Sequence, residues 1–484
     1  MSPKDLIFLG LLLFVTTGVG SQRQPSAGAV GHSAGKVARV TNHGKVVVCY
    51  VASWAVYRPG RGSFSIEELE PALDGCSHLI YAFAGLNATT NKLRSLDPFR
   101  DLEENYGKGT YRRMTGLRRR YPHLKVTIAV GGWNEGSTNY SAMAATANSR
   151  GSFVSSALDF IRNYDFDGLD LDWEYPGKRG GKPEEDKKNF VALVRELREA
   201  FNSRGWILTS AFGAAKDVID TAYDVKALAP HMDFFHLMCY DYHGSWDKRT
   251  GHNAPIHAPD NPKDANDKFF NVEYTVKYML ELGAPANKVV LGVPMYGRTF
   301  LLDDIKNGMV GSSAKDKGFQ GPFTKEDGFM GYNEICVELM PSNEKDSSNH
   351  DQADMETNWV RSYDETSKTP YVMKEDHWIS YDDEESMKEK VKFAMANDLA
   401  GIMIWSIDTD DFHGDCSGDS GSNSKKFPLL NAVNDAIEES LTAKTNEIPD
   451  DKEKPISGAP STLSLSAASV WVVIMLYLAH FLHK

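Results

Sequence analysis

Basic charge is in short supply along this chain: 53 Lys and Arg stand against 66 Asp and Glu, for a net charge of −13 over 484 residues. A polyphosphate partner is held by a basic surface that displaces counterions, so this balance argues against nucleic-acid binding and suits a neutral ligand. The chain has no glycine-rich loop of the nucleotide-binding kind, which removes the main support for an open doubly wound sheet. Nothing repeats at a period of about 20 to 50 residues, so solenoids and propellers are excluded. Cysteine is sparse, with only Cys49, Cys76, Cys239, Cys336 and Cys416. What is present is an ordinary globular composition, 41% hydrophobic and 25% charged, able to bury a large core.

Both ends depart from that average. Residues 6–15 form an apolar run after Lys4, followed by the small residues Gly18, Val19 and Gly20, so residues 1–20 read as a secretory signal peptide. The run is about half the roughly 20 residues a spanning helix needs, which weighs against the alternative of a membrane anchor. Residues 21–42 read as a linker, as does the chain from Glu439 onward, with the folded unit over 43–441 and a polar linker over 442–460. Ser457-Gly458-Ala459, a Ser/Thr/Pro spacer and an apolar tail within 461–484 follow, the layout of a GPI lipid-anchor signal, with a plain transmembrane tail as the competing reading. The expectation is an exported, extracellular monomer, secreted or held at the cell surface by that lipid. Five cysteines in an exported chain suggest two disulfides and one leftover thiol, in a pairing that spacing alone does not fix. Asn87 and Asn139 open glycosylation sequons.

Eight short runs rich in Val, Ile and aromatics recur, at 45–54, 78–85, 125–133, 166–175, 206–214, 234–242, 289–297 and 401–407. Their near-continuous hydrophobicity suits parallel strands covered by helices on the outside. Between the fourth and fifth runs, Phe190, Leu193, Val194, Leu197 and Phe201 fall at helical spacing, with Gly205 where that helix should end. Before the fourth, Ser152 is placed to cap a helix with the stripe Val154, Ala157, Leu158 and Ile161. The reading is an α/β fold, an eight-stranded (β/α)8 TIM barrel, with a small α+β insertion at about 299–385 between the last two strands.

The stretch Asp167-Gly168-Leu169-Asp170-Leu171-Asp172-Trp173-Glu174 is the most informative in the chain. Side chains alternate along a strand, so Asp170, Asp172 and Glu174 share one face and Leu169, Leu171 and Trp173 the other. Three acids in a barrel lumen cannot all ionise freely, so at least one is held protonated, the condition a general acid needs. Glu174, at the C-terminal end where barrel enzymes place their chemistry, is the natural acid. Calcium binding is the rival reading, but calcium loops are turn-rich and this is a strand, so no metal is expected. By the same alternation Met238, Tyr240 and Tyr242 share a face and Cys239 turns toward the helices as an inert thiol, while Asp241 has the wrong parity unless the strand has already ended. Trp54, Trp133, Trp246 and Trp405 follow or end strands, where sugar ring faces could stack; the bland reading of each is core packing.

The DGxDxDWE pattern, complete from Asp167 to Glu174, resembles the signature of glycoside hydrolase family 18, the chitinases of animal and insect type. The resemblance spans residues 45 to about 441 and is shared by KVVVCYVASW, KVTIAVGGW, MCYDYHG, GVPMYGRTF and GIMIWSID. It implies retaining hydrolysis of β-1,4-N-acetylglucosaminide links without a cofactor, the substrate's own acetamido group being the nucleophile. By resemblance Glu174 is the acid and base, Asp172 holds the acetamide nitrogen, Asp170 sets the protonation of Asp172, and Tyr240 aligns the acetamide carbonyl. Trp405 is the implied floor, with Trp54, Gly131, Gly132, Trp133, Asn134, Tyr175, Met238, Asp241, Tyr296 and Arg298 implied to contact chitin or its oligosaccharides. The glycines would let the backbone approach the sugar; the plainer reading of Arg298 is a salt bridge at the insertion junction. The family also implies Cys49–Cys76 and Cys336–Cys416 disulfides. With no cysteine beyond Cys416, a disulfide-rich chitin-binding module is not expected, and action on soluble chains should exceed that on crystalline chitin.

Two other functions share this sequence pattern. One is a lectin-like or growth-factor-like protein that binds chitin oligomers without cutting them, against which the intact acid trio argues. The other is a glycosidase of the chitobiose core of N-linked glycans, working by the same mechanism.

Overall fold

The computed structural model describes residues 43–315, 317–340, 359–417 and 425–447. The predicted signal peptide, the 21–42 linker and the anchor pattern lie outside the described residues. Among the described residues no helix is long and apolar enough to cross a membrane.

Eight parallel strands, Val46–Ala52, His78–Asn87, Lys125–Gly131, Gly168–Asp172, Ile207–Gly213, Phe234–Met238, Val289–Pro294 and Gly401–Trp405, pair in chain order. The first pairs with both the second and the eighth, Cys49 lying between Leu79 and Ile404, so the sheet closes into a barrel and the open-sheet alternative falls. Alternation sorts the side chains. Leu169, Leu171 and Trp173 join Phe190, Leu193, Val194, Leu197 and Phe201 of the helix Asp186–Phe201 in the core between barrel and helices. Burying five apolar side chains on one helix face is worth on the order of 10 kcal/mol before entropy is counted. A smaller cluster, including Val48, Tyr50, Ile80, Ala129, Val290 and Met403, fills the lumen.

Several boundaries differ from the sequence reading. The helix before the fourth strand is Ala147–Tyr164, capped by Thr146, whose hydroxyl accepts from the Ser149 amide at 3.2 Å. Ser152 is not the cap; it lies inside the helix and donates to the Asn148 carbonyl at 3.1 Å. The apolar stripe starts a turn after the helix does, which misplaces a cap inferred from it. Gly205 takes the left-handed conformation, φ 64°, and ends the next helical segment as expected. The seventh strand stops at Pro294, which pairs with Trp405, so Tyr296 and Arg298 belong instead to the strand Tyr296–Leu301 of a separate sheet. Hydrophobicity runs on through Met295 and Tyr296, so it does not mark the change of sheet. That antiparallel sheet has the order Phe329–Gly331, Tyr296–Leu301, His377–Ser380, Thr369–Lys374, Val360–Asp364, with the helix Tyr332–Glu338 beside it. The last helix, Pro428–Glu447, runs through residues read as linker from Glu439 onward. Val433, Ala436 and Ile437 bury its inner face, and Lys444 bonds the Met395 carbonyl at 2.6 Å and Asp398 at 2.7 Å, which carries the helix past the last apolar position.

Both implied disulfides are present. Cys49–Cys76 ties the first strand to the turn before the second, and Cys336–Cys416 ties the insertion helix to the segment after the eighth strand. Cys239 is free and buried among helix-facing side chains, where burial pushes its thiol up to about 12 and leaves it inert.

Candidate active site

The acid trio runs up the lumen from core to mouth. Asp170, fully buried, accepts from Tyr50 Oη at 2.7 Å and Thr209 Oγ1 at 2.5 Å, and lies 3.1 Å from His236 Nδ1. These partners come from the first, fifth and sixth strands, which places Asp170 at the barrel axis. Asp172, one step up, is buried, and its Oδ1 has no hydrogen-bond partner among the described residues. Burial first, then the charges of Glu174 and Asp170, raises its carboxyl well above the ordinary range. An unpaired buried acceptor is costly in a protein with nothing bound and useful to one that offers it an N–H donor.

Glu174 lies just past the end of the fourth strand and is 8% exposed. Burial raises its carboxyl from 4.5 to about 7; Tyr175 and Arg179 beside it pull the other way, and the charge of Asp241 adds a little to the rise.

Across the lumen the sixth strand ends at Met238. Met238 and Tyr240 face the lumen cluster, and among the described residues the Tyr240 hydroxyl meets only the weak acceptor Met403 Sδ, at 3.9 Å. Asp241 is left-handed, φ 59°, and this breaks the alternation. Its carboxylate therefore reaches the site after all, accepting from Tyr296 Oη at 2.6 Å and Arg298 Nε at 2.7 Å. Tyr242 does not share the face of Tyr240; it turns to the helices and bonds Thr275 Oγ1 at 2.7 Å. Arg298 forms the salt bridge at the insertion junction, to Asp241 at 2.7 Å, while its guanidinium lies 5.1 Å over the Trp246 ring.

Aromatic rings line the mouth. Trp405 packs against Tyr50, Trp54 and Phe83 with centroids 5.5, 6.2 and 5.8 Å away. Trp54, Trp133 and Trp246 are 45%, 57% and 53% exposed, so core packing is excluded for these three. Exposed aromatic faces rimming a polar lumen suit the apolar faces of sugar rings. Gly131 and Gly132 serve protein neighbours rather than open space: with positive φ at both, a Cβ on Gly131 would come 2.0 Å from the Asp172 carbonyl and one on Gly132 2.7 Å from the Phe83 ring. Asn134 is exposed beside Trp133, and Tyr175 packs against the outer core next to Gly213.

Sequence reasoning missed Tyr50, Thr209 and His236, the partners of Asp170. Each is an inward position on its strand, and the lumen parity that selected the acids would have found them. Phe83 and Arg179 were also missed. A separate cleft of about 820 Å³ sits at the other end of the barrel near Lys125 and Asp167 and is lined by Arg112, Arg118 and Arg119. It touches none of the predicted site residues and lies at the end where barrels do not carry their chemistry.

A closed barrel with a protonatable carboxyl at its C-terminal mouth, an aromatic rim and a lumen-facing acid ladder defines a glycosidase. The chain belongs to the glycosyl hydrolases family 18, whose description matches residues 46–410. It is 48% identical over 437 residues to "Probable chitinase 2" of Drosophila melanogaster, covering 86% of this chain and 85% of that protein. Among solved structures it is similar to the Ostrinia furnacalis Group IV chitinase in complex with allosamidin, with a TM-score of 0.73 and 41% identity over 82% of this chain and 99% of that one. It is also similar to human YKL-39, a pseudo-chitinase with retained chitooligosaccharide binding, with a TM-score of 0.70 and 34% identity over 81% of this chain and 100% of that one.

Proposed function

We propose that this protein hydrolyses β-1,4-N-acetylglucosaminide links in chitin with retention of configuration, Glu174 serving as acid and then base. The observation that carries the reading is the pairing of Glu174, held to about 7 by burial, with the unpartnered Oδ1 of buried Asp172. Glu174 gives its proton to the departing glycosidic oxygen as the substrate's acetamide oxygen attacks the anomeric carbon. Asp172 accepts the acetamide N–H at its unpartnered Oδ1 and holds the group in place; Tyr240 Oη donates to the acetamide carbonyl and fixes its line of attack. Glu174, now ionised, takes a proton from the water that opens the oxazolinium, and the cycle ends with the acid restored. Glu174→Gln keeps the shape and removes the proton, so turnover of a chromogenic chitobioside should fall by roughly a thousandfold or more while oligomer binding persists. Near-normal turnover in that variant would refute the assignment.

The likeness to a pseudo-chitinase favours a second reading, binding of chitooligosaccharides without cleavage. The same chitobioside assay on the unaltered protein separates the two, since a binding protein would show none. We further propose export to the extracellular space, supported by the apolar segment at residues 6–15 and by two disulfides. The sequon residues Asn87 and Asn139 are both exposed and open to glycosylation.

A further inference from the structure

One cation joins the exposed aromatic platform to the acid. Arg179 follows Glu174 by five residues, in the loop between the fourth strand and its helix, and its backbone is left-handed at φ 51°. A non-glycine residue holds that conformation where surrounding contacts fix it. Its guanidinium carbon lies 3.4 Å from the centroid of the Trp133 ring, and its Nη1 donates to the Trp133 carbonyl at 2.9 Å and the Glu174 carbonyl at 3.2 Å. The bland role for a loop arginine is a surface ion pair. Among the described residues no carboxylate pairs with Arg179 within salt-bridge distance, and its partners are instead a ring and two main-chain carbonyls.

We infer that Arg179 is a positioning residue that pins Trp133 against the loop of the acid and leaves the opposite face of the indole to a sugar ring. The inference rests on the reading of Glu174 as acid and of the rim as a sugar platform. A side chain 57% exposed, as Trp133 is, would otherwise sample several rotamers, and ordering it would weaken each binding event. The flat guanidinium stacked on one face removes those rotamers beforehand; a lysine carries the charge but cannot stack or fork in this way. The same cation also acts on Glu174, opposing the effect of burial on its carboxyl. The other ionisable groups facing that carboxyl are Asp172, Tyr175, Tyr223, Tyr240 and Asp241.

The test uses the full chain with Arg179→Gln and Arg179→Lys. In the Glu174→Gln background, where turnover does not interfere, calorimetry with chitin hexamer should show roughly tenfold weaker binding for Arg179→Gln and an intermediate value for Arg179→Lys. With Glu174 intact, the alkaline limb of kcat/KM should move to higher pH in Arg179→Gln and return toward the parent in Arg179→Lys, which a loss of loop packing alone would not do. Hexamer affinity within twofold of the parent in both variants, or an unmoved limb in Arg179→Gln, would overturn the inference. If Arg179→Gln does not fold, Arg179→Lys alone decides it through hexamer affinity. Persistent turnover in Glu174→Gln would instead sink the reading of the acid, and the hexamer arm would still report on Arg179.

Discussion

Hydrolysis should fail as pH rises past neutrality, because Glu174 must enter each cycle protonated. Burial to 8% exposure raises its carboxyl from 4.5 to about 7, which makes ionisation about 3 kcal/mol harder than in water. At pH 6 a carboxyl with the ordinary value would be protonated in roughly one molecule in thirty, whereas one at about 7 is protonated in roughly nine in ten. The difference, about thirtyfold in competent enzyme, is what the fold supplies at that pH. The assay is kcat/KM for a chromogenic chitobioside from pH 4 to 9 at constant ionic strength, which reads the free enzyme. A descending limb near pH 7 is expected, tenfold per pH unit beyond it. Asp241→Asn, which removes one neighbouring negative charge, should move that limb to lower pH. A limb below about pH 5, or activity flat through pH 8, would refute the reasoning.

Two further outcomes follow from the same geometry. An acid whose folded pKa stands above its unfolded value lets the native state bind an extra proton between the two, so its presence lowers stability as pH rises from 4.5 to about 7. Glu174→Gln should therefore raise Tm at pH 8 and change it little at pH 4, as calorimetric scans would record, with a gain of up to about 3 kcal/mol at the higher pH. Tyr240→Phe should lower kcat about a hundredfold with little change in Tm, since the hydroxyl gives up only a 3.9 Å contact with Met403 Sδ in the free protein.

The barrel was legible because strands buried on both faces write themselves as unbroken apolar runs, and all eight were placed. Asp170 and Asp172 were legible because alternation holds along Gly168–Asp172, where the ladder to both neighbours is regular, and Glu174 continues the same face just past the strand's end. The same rule misassigned Tyr242, because the sixth strand ends at Met238 and Asp241 turns left-handed, and nothing in the residue types marks that turn. Tyr296 was picked as a site residue yet given to the wrong strand, since the apolar run carries on from one sheet into the next. Arg179 escaped notice because its role depends on two loops meeting, Trp133 after the third strand and Glu174 after the fourth. A contact of that kind has no sequence period.

The account stands most directly on the claim that the acetamido group of the substrate attacks, with Glu174 as proton donor and no protein nucleophile. Chitin hexamer digested for seconds and read by NMR before mutarotation reports the configuration of the new reducing end. The account predicts the β anomer. Products that begin as the α anomer would contradict it.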